Sequence, residues 1–170
     1  MEVEFSHRTV WTAAGIALVA VLIALGRAVT PIAGDGRPLV LSPAYVATVR
    51  YLKAAQGWLD RLAQIDADLA KVMDEQVNIY TQGRDAERIF EKALSVAREV
   101  EQGKAPLSLA ALQTTLSQAA TGYVRASRAA LLWVSAPSAE NRQGVDEALS
   151  AARGKLENCQ TQQEALWPAK

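Results

Sequence analysis

Hydrophobic residues follow two different patterns along this chain. Residues 9–26 form an uncharged stretch between Arg8 and Arg27, whereas beyond residue 43 apolar positions recur at intervals of three and four. The first pattern is typical of a helix that crosses a membrane, and the second of amphipathic helices that bury one face. We therefore predict an all-α protein with a single N-terminal transmembrane helix and an antiparallel four-helix bundle made of paired helical hairpins.

The uncharged stretch is just long enough to be a membrane anchor. Its 18 residues would extend about 27 Å as a helix, close to the roughly 30 Å of a hydrocarbon core. Trp11 lies near one end, where an indole suits the interface. The alternative is a cleaved secretory signal, but such signals have a shorter apolar region and a basic start. Glu2 and Glu4 argue against it, while Gly26-Arg27-Ala28 is an acceptable cleavage site.

These patterns define the domain boundaries. We predict an N-terminal tail at 1–8, an anchor at 9–28, a linker at 29–42, the helical bundle at 43–166 and a C-terminal tail at 167–170. The linker is rich in proline and glycine, which interrupt any helix leaving the membrane.

Four alanines, Ala13, Ala17, Ala20 and Ala24, fall on one face of the predicted anchor. A face of small side chains lets a second transmembrane helix approach closely. The alternative interpretation is that alanine is simply common in this protein. We expect contact with membrane lipid and, through this face, with other membrane-embedded subunits.

The first bundle helix is predicted to be much longer than the second. Ser42 and Pro43 suit its start, and the three-and-four spacing continues to about Gln82, with Gly83 as a stop signal. The second helix would open at Asp85 and close near Gly103. Helices of about 40 and about 18 residues differ roughly twofold in length. We therefore expect part of the first helix to be uncovered or kinked, so that either the hairpins are staggered or a partner covers the remainder.

The third and fourth helices have clearer boundaries. Ser108 suits the cap of the third helix, with Leu107 and Leu112 placed for a hydrophobic staple, and Pro137 ends that helix. Ser138 then caps a fourth helix whose apolar positions include Cys159 and continue to Leu166. Cys159 is expected to be a small buried side chain rather than a reactive thiol, because no cation obviously lies beside it.

Charge and histidine content exclude several functions. The chain has 18 basic and 18 acidic residues, without a basic stripe, so nucleic acid is not an expected partner. His7 is the sole histidine and precedes the anchor, so the bundle lacks the usual partner of a nucleophile and the usual ligand of haem or di-iron centres. We predict no catalytic residues, no metal and no cofactor, and we do not expect an enzyme or a small-molecule site.

Asp66 is the one acidic residue in an apolar seam. Because an unpaired buried carboxylate is costly, it must reach the rim, pair with Arg125 or Arg128 to fix helix register, or contact a ligand. Trp167, near the end of the chain, would either dock on the bundle or anchor a partner. These four residues are the candidate register or partner contacts.

Two functions fit this organisation. The first is a non-enzymatic, membrane-anchored structural or accessory subunit that presents the bundle for protein–protein interaction in a larger bacterial assembly. The second is an extracytoplasmic ligand-binding or sensory module, since a bundle after one anchor resembles in outline the sensor domains of bacterial chemoreceptors. That likeness covers architecture only, and the Pro/Gly linker weakens it. We expect a single-pass protein of the cell membrane with the bundle outside the cytoplasm.

The anchor prediction has a direct test. Because residues 9–28 should remain in the hydrocarbon core, the full-length chain is expected to stay with the membrane pellet after an alkaline carbonate wash. Release of the intact chain into the supernatant would contradict the prediction.

Overall fold

The computed structural model describes Val19, Val21, residues 43–74 and residues 79–166. The chain divides into two compact units, Met1–Tyr45 and Val46–Lys170. Most of the predicted anchor and the whole linker lie outside the described residues, although Val19 and Val21 are helical and each 54% exposed. Among the helices that are described, none combines the length and the apolar character needed to cross a bilayer.

The described part of the chain is all helical. It contains α1 at Pro43–Val72, α2 at Ile79–Gln102, a 3-10 turn at Leu107–Leu109, α3 at Ala110–Ser135 and α4 at Ala139–Leu166. The four helices have 30, 24, 26 and 28 residues. Their similar lengths suit a bundle in which each helix is covered along most of its length.

Contacts between the helices show their directions. Lys92 bonds Asp68 while Glu99 bonds Arg61, so α1 and α2 are antiparallel. Gln162 of α4 bonds Thr115 of α3. Near the middle of both helices, Gly122 packs against Ala152, so α3 and α4 are also antiparallel.

A layer of polar contacts shows which helix ends lie together. The Tyr51 hydroxyl bonds Gln113, whose side chain donates to the carbonyl of Val100 at 2.6 Å, and Gln163 donates to Gln56 at 2.7 Å. The beginnings of α1 and α3 therefore lie beside the ends of α2 and α4. We call this end of the bundle, which includes Val46, residues 103–109 and Leu166, the proximal end, and the opposite one the distal end.

The core is a continuous apolar cluster drawn from all four helices. Leucine, isoleucine, valine and alanine make up most of it, and Tyr123 is its largest fully buried side chain. On α1 the buried positions are Tyr51, Leu52, Ala55, Trp58, Leu59, Leu62, Ile65, Leu69 and Val72. This stripe is wider than a two-helix seam because α1 contacts α2, α3 and α4.

The predicted length of the first helix is wrong. α1 ends at Val72, and α2 begins at Ile79 and runs through Gly83 and Asp85, which were expected to stop one helix and start the next. Tyr80, which the three-and-four spacing places on the buried face of the predicted first helix, is 86% exposed. Because α1 and α2 are of similar length, the expected uncovered stretch of the first helix is absent from the described residues, and the partner surface inferred from it is withdrawn.

Side chains from elsewhere in the chain satisfy the end of α1. The Gln82 amide, which is buried, donates to the carbonyl of Val72 at 3.0 Å and to that of Asp74 at 2.8 Å. Arg142 of α4 donates to the carbonyl of Met73 at 2.9 Å. The last carbonyls of a helix need such partners when they are not capped by glycine. No local sequence signal marks this helix end, which is why the spacing rule missed it.

The start of α3 also differs from the prediction, whereas α4 begins as expected. Leu109, which has no capping side chain, precedes α3 after a 3-10 turn, and Leu107 is 96% exposed, so neither the Ser108 cap nor the Leu107 staple forms. Ser138 does cap α4, accepting from the backbone N–H of Asn141 at 3.1 Å. At the far end of α4, Leu166 is 48% exposed rather than buried.

Gly103 provides a test of the packing at the proximal end. A Cβ at this position would lie 2.7 Å from Cη2 of Trp58, whose ring is held by an edge contact with Tyr51 and a hydrogen bond to Glu99. We expect Gly103→Ala to lower the free energy of unfolding by about 1–3 kcal/mol, the usual cost of overpacking. Chemical denaturation of the purified protein measures it.

The matched control for this prediction is Gly57→Ala on α1, where nothing lies within 4 Å of an added Cβ. This change should raise stability by about 0.5–1 kcal/mol, because alanine costs less entropy in a helix. Equal effects of the two substitutions would contradict the packing described for Gly103.

Candidate functional site

Asp66 joins three helices through one oxygen atom. Its Oδ1 accepts from the Tyr123 hydroxyl of α3 at 3.2 Å and from Nε of Arg153 of α4 at 2.8 Å. The carboxylate is on the rim of the core, with its side chain 25% exposed. Burial and the nearby Asp66 charge raise the pKa of Tyr123, so this hydroxyl remains a donor. The group sets the register of α1 against α3 and α4.

The arginine that pairs with Asp66 is therefore Arg153, not Arg125 or Arg128. Both of the latter are exposed on α3. The rim position foreseen for Asp66 is observed, together with Ile65 and Val72 in the core. Trp167 and the alanine face formed by Ala13, Ala17, Ala20 and Ala24 lie outside the described residues.

The largest depression described on the bundle is an open groove between α3 and α4. It has a volume of about 740 Å³. Its floor consists of small residues and its walls of polar and charged ones. The lining residues are Ser117, Gln118, Thr121, Gly122 and Arg125 of α3 and Gly144, Glu147, Ala148, Ala151, Ala152 and Lys155 of α4.

The groove floor includes a close contact between α3 and α4. A Cβ on Gly122 would lie 3.2 Å from both Cα and Cβ of Ala152, tighter than ordinary van der Waals contact. A larger residue at either position would push the helices apart and change the shape of the groove. Tyr123 and Arg153 directly follow these two residues and both bond Asp66, so the Asp66 contacts hold α3 and α4 in place behind the groove floor.

Charges of both signs line the groove. Arg125 on α3 and Lys155 on α4 are exposed cations, and Glu147 on α4 is an exposed anion that accepts from Gln143 at 2.7 Å. In contrast, the charged residues between α1 and α2 bond one another. A groove with a close-packed floor and charged rims can accept a protein segment that brings small residues and matching charges.

Glu99 is the most strongly perturbed carboxylate described, but its contacts are structural. The bidentate bond from Arg61, assisted by Trp58 and Ser95, lowers the pKa of Glu99 from 4.5 to about 2. All four residues belong to the α1–α2 pairing. Strong shifts can mark catalytic groups, but here Arg61 and Trp58 bond Glu99 across the helix pair and Ser95 bonds it from the preceding turn of α2.

Cys159 is also part of the packing. It is fully buried, as predicted, and burial raises the pKa of its thiol to about 11. A neutral, enclosed thiol is a poor nucleophile. Within the described ranges, no group of three or more His, Cys, Asp or Glu side chains is placed to hold a metal ion.

The sequence singled out Asp66 as a contact residue but gave no prediction of the groove between α3 and α4. The groove faces away from the core, so the core periodicity carries no signal for it. A signal does exist in the small residues Gly144, Ala148 and Ala151, which fall on one outer face of α4. The pairing with Arg153 was missed because it depends on the rotation of α4 relative to α1.

Comparison with protein-family models, with curated protein sequences and with solved structures gives no match for this chain.

The Asp66 contacts predict an energetic coupling. Tyr123→Phe removes a hydroxyl that donates to a charged acceptor, so we expect a loss of about 1–2 kcal/mol in the free energy of unfolding. Arg153→Ala removes the second donor to the same oxygen. Because the two donors share one acceptor, the double variant should deviate from additivity by about 0.5 kcal/mol or more.

Urea denaturation of the four proteins measures this coupling. Arg128→Ala, on an exposed position of α3, is the control and should add to Tyr123→Phe without deviation. Strict additivity in both pairs would show that Tyr123 and Arg153 act independently.

Proposed function

We propose that this protein is a membrane-anchored, non-enzymatic structural or accessory subunit that presents its helical bundle to another protein of a larger assembly. The observation that carries the proposal is the groove between α3 and α4. It replaces the uncovered first helix as the surface for the partner.

The composition of the groove favours a protein partner. Its floor of glycine and alanine allows a close approach of a backbone, as small residues do wherever helices pack tightly. Arg125 and Lys155 are positioned to meet acidic groups, and Glu147 to meet a basic one. Charges arranged in this way select partner and orientation more than they add affinity.

The membrane anchor is supported by the uncharged stretch of residues 9–26. The proposed location is the cell membrane, crossed once, with the bundle outside the cytoplasm, because short N-terminal tails commonly stay inside while the following domain is exported. The alanine face of the anchor is proposed as a second contact with membrane-embedded subunits.

The second candidate is an extracytoplasmic ligand-binding or sensory module. The groove volume of about 740 Å³ favours it, since small-molecule pockets commonly measure about 300–1,000 Å³. Most such pockets enclose the greater part of their ligand, whereas this groove is open and has charged side chains at its rims. The accessory-subunit proposal therefore takes precedence.

Photo-crosslinking in native membranes tests the proposal. Gly144 lines the groove, and nothing lies within 4 Å of a Cβ added there, so the position suits a benzophenone amino acid that extends into the open groove. We expect this variant to form a discrete adduct with one partner protein. The same partner should co-purify with the unmodified chain after mild detergent extraction.

Gly154 provides the matched control. It is on the same helix and equally free of neighbours, but does not line the groove. The benzophenone at 154 should give no adduct, and Lys155→Glu combined with the probe at 144 should reduce the adduct several-fold. Recovery of the chain alone, as a monomer, would contradict the accessory role. A ligand-dependent rise in Tm that Arg125→Glu abolishes would favour the sensory alternative.

A further inference from the structure

The proximal end of the bundle carries an unusual turn. Residues 103–109 connect α2 to α3, and within them Leu107 is 96% exposed, the highest value among the exposed large apolar side chains described. Single exposed leucines are common on protein surfaces. This one differs because a fixed turn presents it away from the rest of the bundle.

The turn is held by local contacts on both sides of Leu107. Pro106 has φ −57° and ψ 151°, its carbonyl accepts from the N–H of Leu109 at 2.8 Å, and Leu109 is 2% exposed. Ala105 also packs against the core. With Ala105 and Leu109 directed inward, Leu107 points out without any conformational change. Because the turn is already ordered, little conformational entropy is lost when Leu107 is buried in an apolar environment.

Further side chains at the same end match this pattern. Val46 and Leu166 are 38% and 48% exposed, and Lys104 is an exposed cation three residues before Leu107. A leucine with a nearby lysine is the combination found at membrane interfaces, where the apolar group enters the acyl region and the amine stays among the headgroups.

We propose that the turn at residues 103–109 inserts Leu107 into the interfacial region of a lipid bilayer, so that the proximal end of the bundle rests on the membrane. This inference rests on the proposed membrane anchorage. The order of the chain favours a bilayer, because the bundle begins at residue 43, at the proximal end, and the predicted anchor precedes it by a linker of residues 29–42. The predicted anchor is therefore joined to this end through the chain, and the bilayer that holds the anchor is the apolar environment nearest to Leu107.

Site-specific fluorescence in liposomes tests the insertion with the full-length chain. Cys159 is fully buried, so a cysteine placed at Leu107 is the accessible one and can be labelled with a polarity-sensitive dye. We expect blue-shifted emission and strong quenching by lipids that carry a nitroxide close to the headgroup. Lipids with the nitroxide at the end of the acyl chain should quench less.

Leu132→Cys is the matched control. Leu132 is also an exposed leucine, at 56%, but belongs to the last turns of α3 at the distal end. Quenching at 107 should be several-fold stronger than at 132. Equal quenching at both positions would overturn the inference, because the bundle would then lie along the surface or within the bilayer.

Val19→Cys separates failure of this inference from failure of the anchor. Quenching at 19 without quenching at 107 would overturn the inference and leave the anchor intact. Absence of lipid quenching at both 19 and 107 would overturn the anchor and the inference with it. Protection of 107 from aqueous iodide without quenching by lipid would show that a protein surface covers Leu107, and this result also overturns the inference.

Discussion

The bundle depends on how α1 ends. The carbonyls of Val72, Met73 and Asp74 receive hydrogen bonds from Gln82 and Arg142, side chains that follow in α2 and α4. Unsatisfied carbonyls at a buried helix end would be costly. These three bonds therefore fix where α1 ends. They also fix the register of α1 against α2 and the position of α4 along the bundle axis. The bidentate Arg61–Glu99 contact and the Asp66 contacts can form only in that register.

The spacing of apolar residues predicted helix boundaries correctly where a proline or a capping serine marks them. It failed at the end of α1, where no such residue is present. Ala136-Pro137 and Ser138 marked the end of α3 and the start of α4, and both boundaries are observed. No glycine or proline marks the end of α1 at Val72, and the apolar spacing continues past it, so the first two helices were divided in the wrong place. Gly83 looked like a stop signal, but a glycine inside a helix costs only about 1 kcal/mol, which tertiary packing readily offsets.

Part of the candidate site could likewise be predicted from the sequence, and part could not. A carboxylate in an apolar seam must find a partner, so Asp66 could be singled out from the sequence, whereas the identity of its partner needs the rotation of α4. The groove escaped prediction because it lies on the outer faces of α3 and α4. Its floor nevertheless depends on the core: Gly122 and Ala152 directly precede Tyr123 and Arg153, which bond Asp66. A substitution in the core can therefore alter the shape of the groove without touching it.

Because Cys159 is buried, its thiol can report transient opening of the bundle around α4. The thiol is fully enclosed, and its pKa is raised by burial to about 11, so reagents in solution modify it only when the packing around α4 opens. The rate of thiol modification under native conditions then measures how often α4 separates from its neighbours. A partner seated between α3 and α4 should slow that rate, because it binds the closed form alone.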